Sequence, residues 1–355
     1  MGRRSSISES ASLALSLLGQ NSENGECGRL GKNVLCHAWI LIFLAWVVWS
    51  RAEAAPYVDD TVQDQWFTGS LVAPSPALTK AGIFAIEPYA IYTGNTGAYN
   101  SGWGHHSVPN DINQIESLTL LKYSITDRLT VQALPSFNHA WNGLTNSNGL
   151  GAGDLPVELQ YRINDENRKT GFPMVTVSLG ATFPTGQYSN LRNASSGFGS
   201  GAYTLNQEVL LQSMFNGWGG HPVRVRLYGD IRESLGNVSV KNVSVYQTSQ
   251  GFIGQAKPGL TADWGIGVEY GLSQRWALAL DLAQNYGGGF RLHGIDATGN
   301  FMRTNHATST SVVVAPAIEY NFSSRAGLVV GVEFSAAGRN SASYIAPQIA
   351  LSLAF

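Results

Sequence analysis

Charge is scarce in this chain: 13% of its 355 residues are Asp, Glu, Lys or Arg, against roughly 25% in ordinary soluble domains. The formal net charge is −2, which gives no reason to expect a nucleic acid or an acidic polymer as partner. Long hydrophobic runs are missing too. The longest, 38–49, holds about 12 residues, whereas a helix needs about 20 to cross a bilayer. Cysteine is nearly absent. Cys27 and Cys36 both precede the expected cleavage point described next, so the mature chain has no thiols and neither a disulfide framework nor thiol chemistry is expected.

The run 38–49 follows Arg29 and Lys32 and ends in Ser50-Arg51-Ala52-Glu53-Ala54-Ala55, where Ala52 and Ala54 meet the small-x-small requirement of a signal peptidase. Residues 1–54 therefore read as a polar extension plus a cleaved secretory signal. The polar part, 1–32, is long for such a signal and implies a functional start further downstream.

Against these absences stand 40 glycines, 10% aromatic residues and a strict alternation. In the last segment Ile345, Pro347, Ile349, Leu351, Leu353 and Phe355 share one face, and Ala346, Gln348, Ala350, Ser352 and Ala354 share the other. Successive side chains of a strand point to opposite sides, so one face suits lipid and the other water. Twelve such segments are predicted: 81–93, 112–124, 128–139, 154–163, 172–184, 201–215, 222–235, 259–271, 275–286, 309–322, 326–335 and 343–355. Each is long enough to cross a hydrocarbon layer when tilted.

Short connections alternate with long ones. The long set, 94–111, 140–153, 185–200, 236–258, 287–308 and 336–342, is rich in Gly, Asn and Ser and is assigned to the outside. The pattern predicts an all-β fold, a single antiparallel transmembrane β-barrel of 12 strands over 81–355 with both termini periplasmic. Tyr270, Trp276, Tyr320 and Phe322 fall beside short turns, where an aromatic girdle would meet lipid headgroups.

A Lys or Arg on the lipid face near the midplane costs about 2 to 4 kcal/mol, so strand charges are assigned inward. Arg224, Arg226, Tyr228, Asp230 and Arg232 share the inner face of one strand. Glu158, Arg162 and Glu208 line earlier strands, and Asp263, Glu269, Asp281, Glu319 and Glu333 line later ones. These residues are candidates for a pore lining. They are also suited to a ladder that braces a narrow interior, because paired charges satisfy one another when buried.

Residues 55–80 precede the first strand and contain Pro74 and Pro76, which oppose regular structure. They read either as a periplasmic leader or, through Trp66 and Phe67, as a partial plug. Catalytic constellations are weak. His105-His106-Ser107 and Asn305-His306 with Thr308 and Ser309 lack the strand-borne His-x-Ser arrangement of a barrel lipase, so no enzyme activity is expected. His105-His106 has no Cys or carboxylate cluster beside it, and neither metal nor cofactor is expected. Gly151-Ala152-Gly153-Asp154 leads into a strand and not a helix, which excludes a phosphate loop.

The runs Gly151-Ala-Gly-Asp-Leu-Pro-Val-Glu-Leu-Gln-Tyr-Arg162 and Val177-Ser-Leu-Gly-Ala-Thr-Phe-Pro-Thr-Gly186, followed by Gly199-Ser-Gly201, resemble the phenol-degradation meta-pathway transporter family. The resemblance covers the middle of the chain. It implies an outer-membrane barrel of a Gram-negative bacterium, associated with aromatic catabolism, and it supplies no binding residues.

The expected function is thus a monomeric channel for diffusion of small solutes, aromatic or otherwise hydrophobic. The expected partners are outer-membrane lipid, the solute, and the barrel-assembly machinery acting on the strand that ends in Phe355. The alternatives are an occluded barrel with a structural or surface-binding role and, further off, a lipid hydrolase sited at the rim.

Overall fold

The computed structural model describes residues 65–109, 111–147, 149–168 and 170–355. The expected signal region 1–54, with Cys27 and Cys36, and residues 55–64 lie outside the described residues.

Twelve strands form the wall: β1 Phe84–Tyr99, β2 Asn113–Thr126, β3 Leu129–Ala133 resumed as Ser136–Trp141, β4 Leu155–Asn164, β5 Met174–Phe183, β6 Thr204–Asn216, β7 Pro222–Ser234, β8 Thr261–Gly271, β9 Trp276–Gly287, β10 Ser309–Ser323, β11 Ala326–Arg339 and β12 Ser341–Ala354. Each pairs antiparallel with the next, and β12 pairs with β1 in register from Ala85↔Ala354 to Tyr99↔Ser341. Closure matters because it leaves no strand edge, the only way a sheet can satisfy its backbone in lipid. The break in β3 falls at Pro135, which has no N–H to give. Its carbonyl still accepts from Thr119 N–H at 3.0 Å, so the wall runs through.

The alternation read from the sequence sets the two faces. On β9, Ala277, Ala279, Asp281 and Ala283 are at most 5% exposed, while Leu278, Leu280 and Leu282 are 43%, 44% and 46% exposed. Leucines standing out all around a wall would be an aggregation hazard in water and are matched to hydrocarbon in a bilayer. At the short-turn end Trp276 packs 4.7 Å from Tyr320, whose ring meets Phe322 edge-on at 5.1 Å. The outward Phe84, Tyr123, Tyr161 and Phe215 continue that belt around the barrel.

Four connections differ from the sequence reading, the first being 94–111, where β1 runs on to Tyr99 and His105–His106 pair back onto it. Residues 336–342 form no long loop: β11 runs to Arg339, β12 starts at Ser341, and Asn340 turns the chain in a left-handed conformation (φ 49°). The small residues there suggested a loop, but their backbones complete the ladder, Thr310↔Arg339 on one side and Tyr99↔Ser341 on the other. Residues 236–258 and 287–308 are likewise partly regular. They rise from β7 to β10 as a second antiparallel sheet of Val238–Lys241, Ile253–Pro258, Phe290–Ile295 and Phe301–Asn305. Val238, Val240, Ala256 and Leu292 bury one face of this sheet against Tyr246, Phe252 and Leu191, a separate apolar core outside the wall.

Candidate functional site

The inward side chains of β7 to β10 converge on residues 65–80, which lie inside the wall. Pro74 and Pro76 keep this segment from forming a ladder of its own, so its amides bond to wall side chains. It enters at the short-turn end, where Trp66 N–H donates to the Gln274 carbonyl at 3.1 Å and Asn321 Nδ2 donates to the Trp66 carbonyl at 3.1 Å. Deeper in, Gly69 N–H donates to Glu319 Oε2 at 3.0 Å, and Val72 and Ala73 N–H donate to the two oxygens of Asp281 at 3.0 and 3.4 Å. Asp281 is midway along β9. From there the segment turns back: Thr176 Oγ1 donates to the Pro76 carbonyl at 2.7 Å, and Ala81 N–H donates to Asp127 Oδ1 at 2.8 Å beside the start of β1.

Two glycines make room for this path. A Cβ on Gly331 would stand 2.7 Å from Leu71 Cδ1, and one on Gly267 would stand 2.7 Å from the Ala73 Cβ. Leu71 and Ala73 are wholly buried as a result.

Opposite charges organise the same layer. Arg224 grips Glu269 with both Nε and Nη2, the latter at 2.5 Å, and its guanidinium lies 4.5 Å from the centre of the Phe67 ring. Fork-shaped pairing of this kind holds a guanidinium in one orientation. Arg226, fully buried, stands 3.5 Å from Glu269 and donates to the Ala73 carbonyl at 3.1 Å. Each of these wall charges therefore either neutralises a neighbour or fastens the inner segment.

The candidate lining divides into groups instead of forming one continuous ladder. Arg224, Arg226, Glu269, Asp281 and Glu319 surround the inner segment together with Phe67. Nearer the long-loop end, Arg232 bridges Asp230 at 2.7 Å and Asp263 at 3.1 Å, with Tyr228 below them on the same strand. Next to this group, Glu158 of β4 accepts from Gln132 at 2.8 Å, Ser178 at 3.0 Å and Asn206 at 3.1 Å, and Asn206 is the register partner of Arg232. Glu208 stands opposite Asp230 in the β6–β7 register, and Glu333 accepts from the Tyr344 hydroxyl at 2.7 Å. Arg162 is set apart: at the short-turn rim it donates to the Asp127 carbonyl at 2.6 Å and pairs with Asp165 at 3.1 Å. Trp66 contributes its backbone to the seat, and Phe67 its ring. Asn321, missed from sequence, was legible as an inward position, because Tyr320 and Phe322 on either side point out.

The motif that carries the family resemblance forms a clasp at the long-loop rim. Asp154 accepts from Gly186 N–H at 3.0 Å, Ser200 N–H at 2.7 Å and Ser200 Oγ at 2.8 Å, while Thr185 Oγ1 donates to the Gly153 carbonyl at 2.7 Å. Burial holds the Asp154 carboxyl above its usual range despite these bonds. The clasp ties the start of β4 to the segments flanking β5 and β6.

The histidines flagged in the sequence lie apart from the lumen groups. His105 and His106 pair with Tyr99 and Ala98 of β1, and His306 stacks on Phe290 at 3.8 Å in the second sheet. A Ser–His contact not singled out from sequence lies at the rim, Ser147 Oγ to His139 Nδ1 at 2.8 Å. The same Nδ1 faces the Gly149 carbonyl at 3.1 Å. The Gly149 carbonyl also accepts from the Ser147 hydroxyl at 2.9 Å, so the three groups form one small cluster at the rim.

No protein-family model matches the sequence, and no curated protein sequence matches it. Among solved structures, the COG4313 outer membrane channel from Pseudomonas putida F1 superimposes with a TM-score of 0.57 at 18% identity, covering 80% of this chain and 100% of that one. The fold is that of an outer-membrane β-barrel. Looser matches are the TodX deltaS2S3 mutant monoaromatic hydrocarbon channel (TM-score 0.46, 12% identity, 81% of this chain and 95% of that one) and the Ralstonia pickettii toluene transporter TbuX (0.39, 10%, 83% and 97%).

Proposed function

We propose that this barrel is a channel for small solutes in the outer membrane of a Gram-negative bacterium, with residues 65–80 setting its bore. The observation that carries the reading is the way the inner segment is held. Gly69, Val72 and Ala73 are tied to Glu319 and Asp281 by single hydrogen bonds and join no strand ladder. With the bonds from Arg226 to the Ala73 carbonyl and from Thr176 to the Pro76 carbonyl they form a set of separate contacts, each worth about 1.5 to 3 kcal/mol at most, and none of them belongs to the ladder that closes the wall, so a shift of the segment leaves the wall closed. Aromatic or hydrophobic solutes are favoured by the motif resemblance and by the apolar apex Leu71-Val72-Ala73 that the segment places in the lumen. The likeness to the Pseudomonas putida channel supports the architecture on which this reading rests.

Liposome swelling over a series of sugars, amino acids and aromatic acids tests it. Faster permeation of aromatic acids than of sugars of equal size supports the reading, and equal rates for all solutes below a size limit remove the preference. A second reading is favoured by the complete burial of Leu71, Arg226 and Glu319: a barrel that stays occluded and serves the envelope structurally. Well-folded protein that conducts nothing in planar bilayers would select it.

A further inference from the structure

Facing the charged layer of β7 to β10, the lumen carries an apolar strip. Tyr89, Ile91, Leu118 and Val329 are inward positions of β1, β2 and β11, each at most 4% exposed, with Ala350 of β12 among them. The register makes them neighbours, Leu118↔Tyr89↔Ala350↔Val329 in one row, and the Tyr89 hydroxyl is turned away to donate to Glu87. Barrel interiors are ordinarily polar, so such a strip calls for an apolar occupant. The apex Leu71-Val72-Ala73 joins it in one continuous apolar cluster.

Gln348 of β12 interrupts this strip. It is 4% exposed, and neither its Nε2 nor its Oε1 has a hydrogen-bond partner among the described residues. Its register partners are Ile91 on one side and Gly331 on the other, and neither has a polar side chain to offer. Glu333, the next inward position along β11, gives an oxygen to the Tyr344 hydroxyl instead. An amide buried with both ends unpaired destabilises a fold. A mere seat for an apolar segment would be served better by leucine, so the amide costs stability that a structural role does not require. Leu71 stands over Gly331, where a Cβ would meet its Cδ1 at 2.7 Å. The apex thus lies about one strand spacing, roughly 4.8 Å, from the unpaired amide.

We propose that Gln348 is the hydrogen-bonding post of a solute site in the lumen, taken by a small apolar ring that carries one hydroxyl group, with Leu71 holding the ring's place until the solute displaces it. The chemistry of the amide selects this class. A hydroxyl can accept from Nε2 and donate to Oε1, whereas an ether can only accept and a bare hydrocarbon leaves both ends unpaired. The strip beside the amide supplies the surface for the ring. The proposal deepens the channel reading and rests on its premise that solutes enter the lumen.

The test compares 2-phenylethanol with benzyl methyl ether, isomers that share a benzene ring, by equilibrium binding to the barrel in zwitterionic nanodiscs, with binding to empty discs subtracted. The unaltered protein should bind the alcohol about fivefold more tightly than the ether, the worth of a single hydrogen bond. Gln348→Leu should lose that preference while its heat-modifiable gel shift persists to at least the same temperature, and Gln348→Met provides a second apolar variant of the same length. Leu71→Ala, which vacates the ring's place, should tighten binding of the alcohol about threefold. Equal binding of the two isomers by the unaltered protein, a preference retained in the folded Gln348 variants, or weaker binding in Leu71→Ala would each overturn the proposal. Conductance in planar bilayers reports separately on the channel: preference without conductance leaves the site in a barrel that does not conduct, and conductance without preference leaves the channel without this site.

Discussion

The carboxylate of Asp281, midway along β9, accepts the backbone N–H of Val72 at 3.0 Å across 209 positions of sequence. That bond, with the one from Gly69 to Glu319 at 3.0 Å, joins the inner segment to the wall at mid-depth. Asp281→Ala or Glu319→Ala leaves those amides without acceptors, at a cost of about 1 to 3 kcal/mol each. The segment should then loosen, and single-channel conductance in planar bilayers should rise, most in the double variant. Conductance equal to that of the unaltered protein in all three variants would show that these bonds do not hold the bore.

Arg226 has a different part, because it is wholly buried and sits between Glu269 and the Ala73 carbonyl. Removing one partner of a buried ion pair costs about 3 to 5 kcal/mol. Arg226→Ala should lower the temperature at which the heat-modifiable gel shift of the barrel is lost. Arg226→Lys should recover little of it, since an ammonium cannot reproduce the fork that reaches both groups.

The rim clasp predicts a steric effect. A Cβ on Gly186 would come within 2.8 Å of Gly199 Cα, backbone that cannot swing aside as a side chain can. Gly186→Ala should therefore cost about 1 to 3 kcal/mol of local packing and expose 185–202 to limited proteolysis, with the wall intact by circular dichroism. Resistance equal to that of the unaltered protein would mean the clasp yields more easily than its geometry implies.

His306 gives the outer sheet a dependence on pH. Burial against Phe290 lowers its pKa below the usual 6.5. A depressed histidine favours the neutral ring in the folded state, so its packing is fully favourable above about pH 6.5 and weakens as pH falls towards the lowered value. Amide protection factors in 290–306, exchange rates divided by the intrinsic rate at each pH, should fall between pH 7.5 and 5, tested with values chosen on either side of about 6.5. His306→Phe should flatten the change, and an equal fall in that variant would place the effect elsewhere.

How much could be read from the sequence depended on the range of the interactions involved. All twelve wall strands were visible, and β7 to β10 nearly to the residue, because Leu278, Leu280 and Leu282 against Ala277, Ala279 and Asp281 write the two faces into adjacent positions. Arg224, Arg226, Glu269, Asp281 and Glu319 were legible as inward by the same parity. Which of them meet was not. The second sheet was hidden because Gly236, Gly251 and Gly254, with Gly287, Gly288 and Gly289, made 236–258 and 287–308 look like open loop. The extension of β11 and β12 was hidden by runs of small residues that favour no local structure.

The sequence by itself determined a closed, twelve-stranded wall with lipid outside and polar groups inside, since exposing charge to hydrocarbon is penalised residue by residue and alternation of side chains is a local property of a strand. Only the tertiary structure decided that 65–80 lies within that wall, and that Asp281 and Glu319 meet its amides while Gly267 and Gly331 clear its path. Those contacts join residues some 200 positions apart, and no pattern of neighbouring residues encodes a fit that exists only once the cylinder has closed.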